Sequence, residues 1–490
     1  MKSNRPKEVV DLEPDDSHKG VRLKRKISLM HACGIIIGTV IGSGIFISPK
    51  GVVLHSGSYG AAILVWVFGG IVNTCAAFIF LELALITPEA GGIYAYCRSA
   101  FGPWASFMVF WADFVRGPLG ACVLARVSAI YVMEMINFEC ATPNIIVTLL
   151  ALWFLISVHL FNAYSVSLAA GVNTAFTFIK TGALVLIIAL GLREIGLGNS
   201  KNLESNVFFS GSSTNPAEYA LAIYSGFFAY GGHENLGILV EEIKNPLRNL
   251  PRAVMISMTV VTIVYVLTNL AYFTVMTPTE LLSSPAVALS FAKGTVPMLV
   301  PVISLAVACS TFGSNTASIL TKSRVTFRVA REKEFPAIFN MINMHYITPM
   351  PAVIVQCIMV LFFVWLTDIG QLITYTSLVS RLNYLLAFVA FFWLRYKKPH
   401  LYRPIRMNIV LAAFTTLILL GLTGLAVYGD PIPALGGIGV FFSGIPFYFF
   451  WRFIRNRDLG RFSQALDNIT IFLQLFLQVV PEEIIEKEVK

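Results

Sequence analysis

Charge is what this sequence lacks most. Only 13% of its 490 residues are Asp, Glu, Lys or Arg, and a soluble domain would carry roughly twice that share. No stretch between the two tails is long and polar enough for a soluble domain. The longest non-membrane pieces are the tails and the segment near 195–215. Catalytic patterns are missing too. The seven histidines are scattered, with no HExxH, no nucleophile elbow and no cysteine–histidine metal spacing. The expectation is a protein that is not an enzyme and uses no cofactor. The first 25 or so residues are polar and lack the apolar core and cleavage site of a signal peptide, so none is expected.

Cysteine is sparse where it could form bridges. Of the seven, Cys33, Cys75, Cys122, Cys309 and Cys357 fall within apolar runs, and Cys97 falls in a loop on the side expected to be cytosolic. Cys140, in INFECATPN, stands alone in an external loop. A lone external cysteine is either an intermolecular bridge or a free thiol.

What the sequence has is hydrophobic length. Apolar residues make up 56% of the chain and the mean hydropathy is +0.73. Runs of about 20 apolar residues, the length that spans a bilayer, recur from end to end. They predict an all-α polytopic membrane protein with twelve transmembrane helices. The spans are 29–52, 59–84, 102–136, 143–163, 168–193, 217–241, 252–276, 295–325, 349–366, 370–394, 408–428 and 433–452. A cytosolic N-terminal tail (1–28), a transporter domain (29–454) and a cytosolic tail (455–490) follow from this count. After Arg461 that tail shows helical apolar spacing, which predicts an amphipathic helix on the inner membrane face, ended by Pro481.

The net charge of +9 is placed on one side. Arg22, Lys24, Arg25 and Lys26 open the series, followed by Lys244, Arg248 and Arg252. Arg324, Arg328, Arg331 and Lys333 come next, and Arg395, Lys397, Lys398, Arg403 and Arg406 after them. All face the cytosol if both termini do, as the positive-inside rule requires. The basic charge therefore reports topology and contact with membrane lipid, and predicts no nucleic-acid partner. The sequon at Asn468 falls in the cytosolic tail, so the external face carries none.

Two spans are broken by glycine. The first contains GTVIGSGIFISPKG (38–51) and the sixth contains FFAYGGHENLG (227–237). Each opens a block of five spans, about 29–193 and 217–394. Glycine-interrupted segments at matching positions of two halves point to a secondary-transporter site. Gly38 and Gly42 also have the spacing of a helix-packing pair, a second explanation for the first break. Unwinding exposes backbone N–H groups at the start of one half-helix and carbonyls at the end of the other. An α-amino acid, with a carboxylate and an ammonium on one carbon, matches that pair of ends.

Those stretches, together with EExxNPxRNLP after the second break and LFLQVVPEE (475–483), resemble the light subunits of heteromeric amino acid transporters, in the amino acid–polyamine–organocation superfamily. FGPWASFMVFW (101–111) and TNLAYFTVMTPTELLSSPAVALSFA (268–292) resemble the cystine/glutamate exchanger light chain and its neutral amino acid relatives within that group. The resemblance covers nearly the whole chain after about residue 22. It implies a LeuT-like 5+5 inverted repeat with helices 1 and 6 broken, plus two C-terminal helices. It implies sodium-independent, obligatory exchange at the plasma membrane. By motif position, the amides of Ser43 and Gly44 bind the substrate carboxylate, and the carbonyls of Val40, Phe228 and Gly231 bind the ammonium. The Phe228 ring is the gate. Cys140 matches the cysteine that bonds a single-span glycoprotein heavy chain.

Charged residues inside the spans sharpen the expectation. Lys180 lies deep in span five, and a midplane ammonium is costly enough to be functional by default. The resemblance makes it the substitute for a sodium ion, tying span five to spans one and eight, with Ser310 and Ser314 as candidate partners. Asp113 and Arg116 can pair on one helix face. Here the chain departs from its relatives. Gly117 stands where the cystine/glutamate exchanger has the arginine that reads an anionic side chain, while Arg381 resembles another arginine of that exchanger. His233-Glu234 replaces the usual Trp-Asn, and Gly231 replaces the aspartate of the relative that takes dibasic substrates. Glu234 neutralises Arg381, binds a cationic side chain or carries a proton; His233 is a candidate structural residue. The main-chain site is intact and the charge readers are altered, so neutral amino acids are favoured, with anionic amino acid or cystine exchange as the alternative. An amino acid-sensing receptor or a channel on the same fold is the competing class.

Overall fold

A computed structural model describes residues 28–87, 91–136, 143–199, 201–234, 243–366, 368–456 and 461–481. The first expected span is two helices, α1 (Leu29–Val40) and α2 (Gly44–Ser56), bent by 52° where they meet. Gly57, at φ +78°, ends α2. Ser58 then starts α3 (Tyr59–Ile86) by accepting the Ala61 amide at 3.2 Å. This satisfies one of the donors a helix start leaves open. A short helix, α4 (Ile93–Phe101), precedes the 34-residue α5 (Pro103–Ile136). Helices α6 (Asn144–Tyr164) and α7 (Val166–Gly196) complete the first block.

A single turn, α8 (Ser205–Phe208), lies in the connection to α9 (Pro216–Ala229), which stops at the second glycine break. Next come α10 (Pro246–Val275), the short α11 (Pro278–Ser283) and α12 (Val287–Thr295), and the long α13 (Val300–Arg331). Helices α14 (Met350–Phe363) and α15 (Ile369–Lys397) close the second block. Helices α16 (Ile409–Gly429), α17 (Pro431–Asn456) and α18 (Arg461–Leu477) follow.

Among the described residues, nine helices are long and apolar enough to cross a membrane, and the bent α1–α2 pair makes ten. The two remaining expected spans fall short of that test. Helix α14 is apolar but has 14 residues, about 21 Å at 1.5 Å per residue. Helix α9 also has 14 residues, and 235–241 of its expected span lie outside the described residues. Two boundaries need correction. The span expected from 295 begins at Val300, because Pro297–Leu299 forms a separate 3₁₀ turn. The tail helix ends at Leu477 rather than at Pro481. Gln478 adopts φ +51° there, and Val479–Pro481 forms β2, antiparallel to β1 (Met341–Asn343) with Ile342 opposite Val480.

The two blocks pack helix on matching helix: α2 on α9, α3 on α10 and α5 on α13. Large apolar side chains such as Leu149, Trp153 and Leu160 on α6, and Phe414, Leu417 and Leu420 on α16, stay exposed. That is the outer surface of a protein solvated by lipid.

Polar clusters fasten both ends. At the basic end, Glu82 of α3, 1% exposed, takes two bonds from Arg395 of α15 at 2.5 and 2.9 Å and one from the Met407 amide at 2.8 Å. Arg403 adds a second cation at 3.5 Å. Glu332 there accepts from Arg98 at 2.5 Å, Arg328 at 3.1 Å and the Tyr94 hydroxyl. At the opposite end, His55 of α2 pairs with Glu218 of α9 at 2.7 Å, and the Ser213 amide donates to the Ser56 carbonyl at 3.0 Å.

Candidate functional site

The two breaks cross each other. A Cβ on Gly44 would lie 2.4 Å from the Ala229 Cα, so α2 begins with its backbone pressed against the end of α9. Gly232 has φ +112°, and a Cβ there would lie 2.9 Å from the Thr39 carbonyl oxygen. Only glycine meets both conditions. The first break therefore serves packing and unwinding at once. Gly38 packs on Thr177 of α7, and Gly42 faces Ser314 of α13.

The crossing leaves the expected backbone groups open. Among the described residues, the amides of Ser43, Gly44 and Ile45 donate to no acceptor, and the carbonyls of Phe228 and Gly231 receive no hydrogen bond. Three unpaired amides at the positive end of α2 form an anion-binding end. Unpaired carbonyls at the negative end of α9 suit a cation. The Val40 carbonyl differs: it accepts from the Gly42 amide at 2.7 Å and from the Tyr265 hydroxyl at 3.0 Å. That hydroxyl also lies 2.8 Å from the Ala229 carbonyl, so Tyr265 of α10 ties the two broken ends together. Its one polar atom, in a run of apolar residues, was the only signal that marked it in the sequence.

The whole chain resolves the family at this point. Residues 27–451 match the family described as amino acid permease. The chain belongs to the amino acid permease family. This permease is 36% identical over 467 residues to the human (Homo sapiens) large neutral amino acids transporter small subunit 2, covering 95% of this chain and 87% of that one. It is 34% identical over 475 residues to the human cystine/glutamate transporter, covering 96% and 93%. It is 37% identical over 437 residues to the human Asc-type amino acid transporter 1, covering 88% and 84%.

Within the permease fold the intramembrane charges take definite places. Lys180, 3% exposed, donates from Nζ to the Gly38 carbonyl at 2.8 Å, which ties α7 to α1 just before the break. Ser310 and Ser314 do not partner it. Both hydroxyls are buried without a hydrogen bond, because the ammonium is drawn to the carbonyl of α1 instead.

Arg381 is enclosed. It donates to Asn73 at 3.2 Å and to the Phe227 carbonyl at 3.3 Å, and its guanidinium lies 4.4 Å from the ring centroids of both Phe227 and Tyr384. It makes no ion pair with Glu234 among the described residues. Tyr384 stands between them, donating its hydroxyl to Glu234 Oε2 at 2.8 Å, while the Gly232 amide donates to the same oxygen at 2.7 Å. His233, 1% exposed, contacts the Tyr230 carbonyl through Nδ1 at 2.9 Å, the structural role considered for it.

Asp113 and Arg116 pair at 2.7 Å with side chains 34% and 22% exposed. They lie ten or more residues inside α5, a helix packed against α4, α6, α13, α15 and α17. Both side chains therefore keep exposed surface well inside the helix. On the other side of the breaks, Phe228 and Ile47 pack against Leu119 and Val123 of α5 and Leu372 and Ile373 of α15. Cys140 lies outside the described residues.

Proposed function

We propose that this permease is a sodium-independent amino acid exchanger that works by alternating access. One observation carries the proposal: three unpaired amides at Ser43–Ile45 and two unpaired carbonyls, Phe228 and Gly231, belong to two broken ends that pack together where Gly44 meets Ala229 and Gly232 meets Thr39. The substrate carboxylate goes to the amides and its ammonium to the carbonyls. Val40 joins only when Tyr265 releases its carbonyl. Phe228, at the edge of the apolar cluster, is the gate. Lys180 holds α7 to α1 by a fixed ammonium, the role a sodium ion has in sodium-coupled relatives of this fold.

Neutral amino acids are the favoured substrates. Arg381 is engaged with Asn73, a carbonyl and two rings, which leaves only its buried Nε without a partner and little of the guanidinium for an anionic side chain. Two of the relatives are named for neutral or Asc-type amino acids and one for cystine and glutamate. The tripartite division at residues 28 and 454, with both tails in the cytosol and the chain in the plasma membrane, belongs to the same proposal. So does a disulfide from Cys140 to a single-span glycoprotein heavy chain, supported by the word "subunit" in the first relative's name.

Trans-stimulation tests the core of this. Proteoliposomes preloaded with unlabelled leucine should take up labelled leucine several-fold faster than empty ones. Equal uptake removes exchange and leaves a channel or receptor. Cys140→Ser should abolish a reducible high-molecular-weight band on a gel, and persistence of the band removes the bridge.

A further inference from the structure

Residues 231 and 232 are both glycine, so the peptide unit between them has no Cβ on either side to restrain it. Such a unit turns freely unless something holds it. Its orientation matters, because it carries the Gly231 carbonyl, which receives no hydrogen bond among the described residues. One contact fixes it. The Gly232 amide donates to Glu234 Oε2 at 2.7 Å, and a backbone N–H on a carboxylate is a strong, charge-assisted bond. In a trans peptide the N–H and the C=O point in opposite directions. Tethering the amide to the carboxylate therefore turns the Gly231 carbonyl away from Glu234.

The carboxylate is held in its turn. The Tyr384 hydroxyl of α15 donates to the same oxygen at 2.8 Å. The Arg381 guanidinium lies over the Tyr384 ring, 4.4 Å from its centroid, and steadies the phenol from its face. On the other side, Gly232 is pressed against the Thr39 carbonyl of α1 at φ +112°. The 231–232 peptide therefore sits beside the end of the first half-helix. A carboxylate bonded to the N–H of a peptide also polarises that peptide and leaves its carbonyl oxygen more negative. A more negative carbonyl is a better acceptor for an ammonium.

We propose that Glu234 is a positioning residue for the substrate ammonium. It acts through the 231–232 peptide and does not itself touch the substrate. Its Oε2 is shared by the Gly232 amide and the Tyr384 hydroxyl, and Tyr384 is the support that keeps it there. The role needs an acceptor oxygen at that point, and it serves every amino acid alike because all carry the ammonium. The inference rests on the proposed binding of that ammonium at the Gly231 carbonyl.

Uptake of labelled leucine by the full chain in preloaded proteoliposomes, with KM and maximal rate measured separately, tests it. Glu234→Ala frees the peptide and should raise KM roughly tenfold while the maximal rate changes by less than about twofold. Glu234→Gln keeps an oxygen that accepts from both donors, and KM should rise by no more than about threefold. The rise in Glu234→Ala should be alike for every amino acid that the parent transports. A rise in Glu234→Gln as large as in Glu234→Ala overturns the inference, because the charge and not the acceptor would then matter. A rise confined to one kind of side chain overturns it too, since Glu234 would then read the side chain directly. So does a fall in maximal rate with KM unchanged. Tyr384→Phe, which removes one support and keeps the ring, should raise KM roughly threefold and serves if Glu234→Ala fails to fold; an unchanged KM there overturns the inference. A parent that moves no amino acid at all overturns the transport reading itself.

Discussion

Individual side chains hold the broken helices in place, and two of them give direct tests. The Lys180 ammonium is buried and bonded to the Gly38 carbonyl at 2.8 Å, and a hydrogen bond to a charged group contributes about 1.5–3 kcal/mol. Lys180→Ala removes that tie between α7 and α1. Exchange should fall at least tenfold, since about 1.4 kcal/mol is a factor of ten, with surface expression retained. Normal exchange would make the lysine purely structural. Tyr265→Phe removes the hydroxyl shared by the Val40 and Ala229 carbonyls. About 1 kcal/mol should be lost, read as a lower melting temperature of the purified protein. The sequence made Lys180 conspicuous because a lysine in an apolar run is costly wherever it lies. Its partner was not legible, because which of several nearby oxygens receives the ammonium depends on how α1 and α13 dock. Glu82 and Tyr265 were missed for the same reason.

Between elements, the contacts that matter join segments far apart in the chain. Glu82 brings together α3, α15 and the segment before α16 through Arg395, Arg403 and the Met407 amide. Glu82→Ala leaves two buried cations unpaired. Breaking a buried ion pair from one side costs about 3–5 kcal/mol, so this variant should express poorly and lose its monodisperse peak on size exclusion. The tail makes a second such contact: β2 pairs with β1, and the Asn343 side chain donates to the Leu477 carbonyl at 2.8 Å. The apolar runs gave ten spans close to their observed bounds because length and hydropathy are local properties. The strand pair has no such local signature, since three residues cannot show an alternation. The short α4 and α12, nine residues each, are under three turns and show no side-chain N-cap, so they were hidden likewise, whereas α11 carried a local signal, the Thr277–Glu280 capping box, that went unread. Both breaks were legible because glycine and an isolated polar pair are anomalous inside a span. Their crossing, Gly44 on Ala229 and Gly232 on Thr39, was not.

At the scale of the whole molecule, exchange requires that the protein open to one end while closed to the other. Asp113 and Arg116 keep exposed surface deep inside α5, whereas Phe228 and Ile47 pack against Leu119, Val123, Leu372 and Ile373, the proposed seal of the far path. The seal is apolar packing between the broken helices and the α5–α15 frame, so its strength follows buried volume rather than charge. Truncating a buried phenylalanine costs about 3–5 kcal/mol, and Phe228 is half-buried, so a smaller loss of about 1–3 kcal/mol is expected for Phe228→Ala. That loss falls only on the conformation in which the seal is formed, and it moves the balance toward opening at the far end by roughly five- to a hundred-and-fiftyfold. The substitution Leu119→Cys, at a position 5% exposed, reports the shift. A membrane-impermeant thiol reagent added from the far side should modify the introduced thiol slowly in the parent background and at least fivefold faster with Phe228→Ala, as read by mass spectrometry of the α5 peptide. Cys122, one turn away and fully buried, serves as the internal reference in that peptide and should stay unmodified in both. Equal labelling of the introduced thiol in the two backgrounds would show that Phe228 does not hold the gate, and concurrent labelling of Cys122 would show that α5 itself had loosened instead.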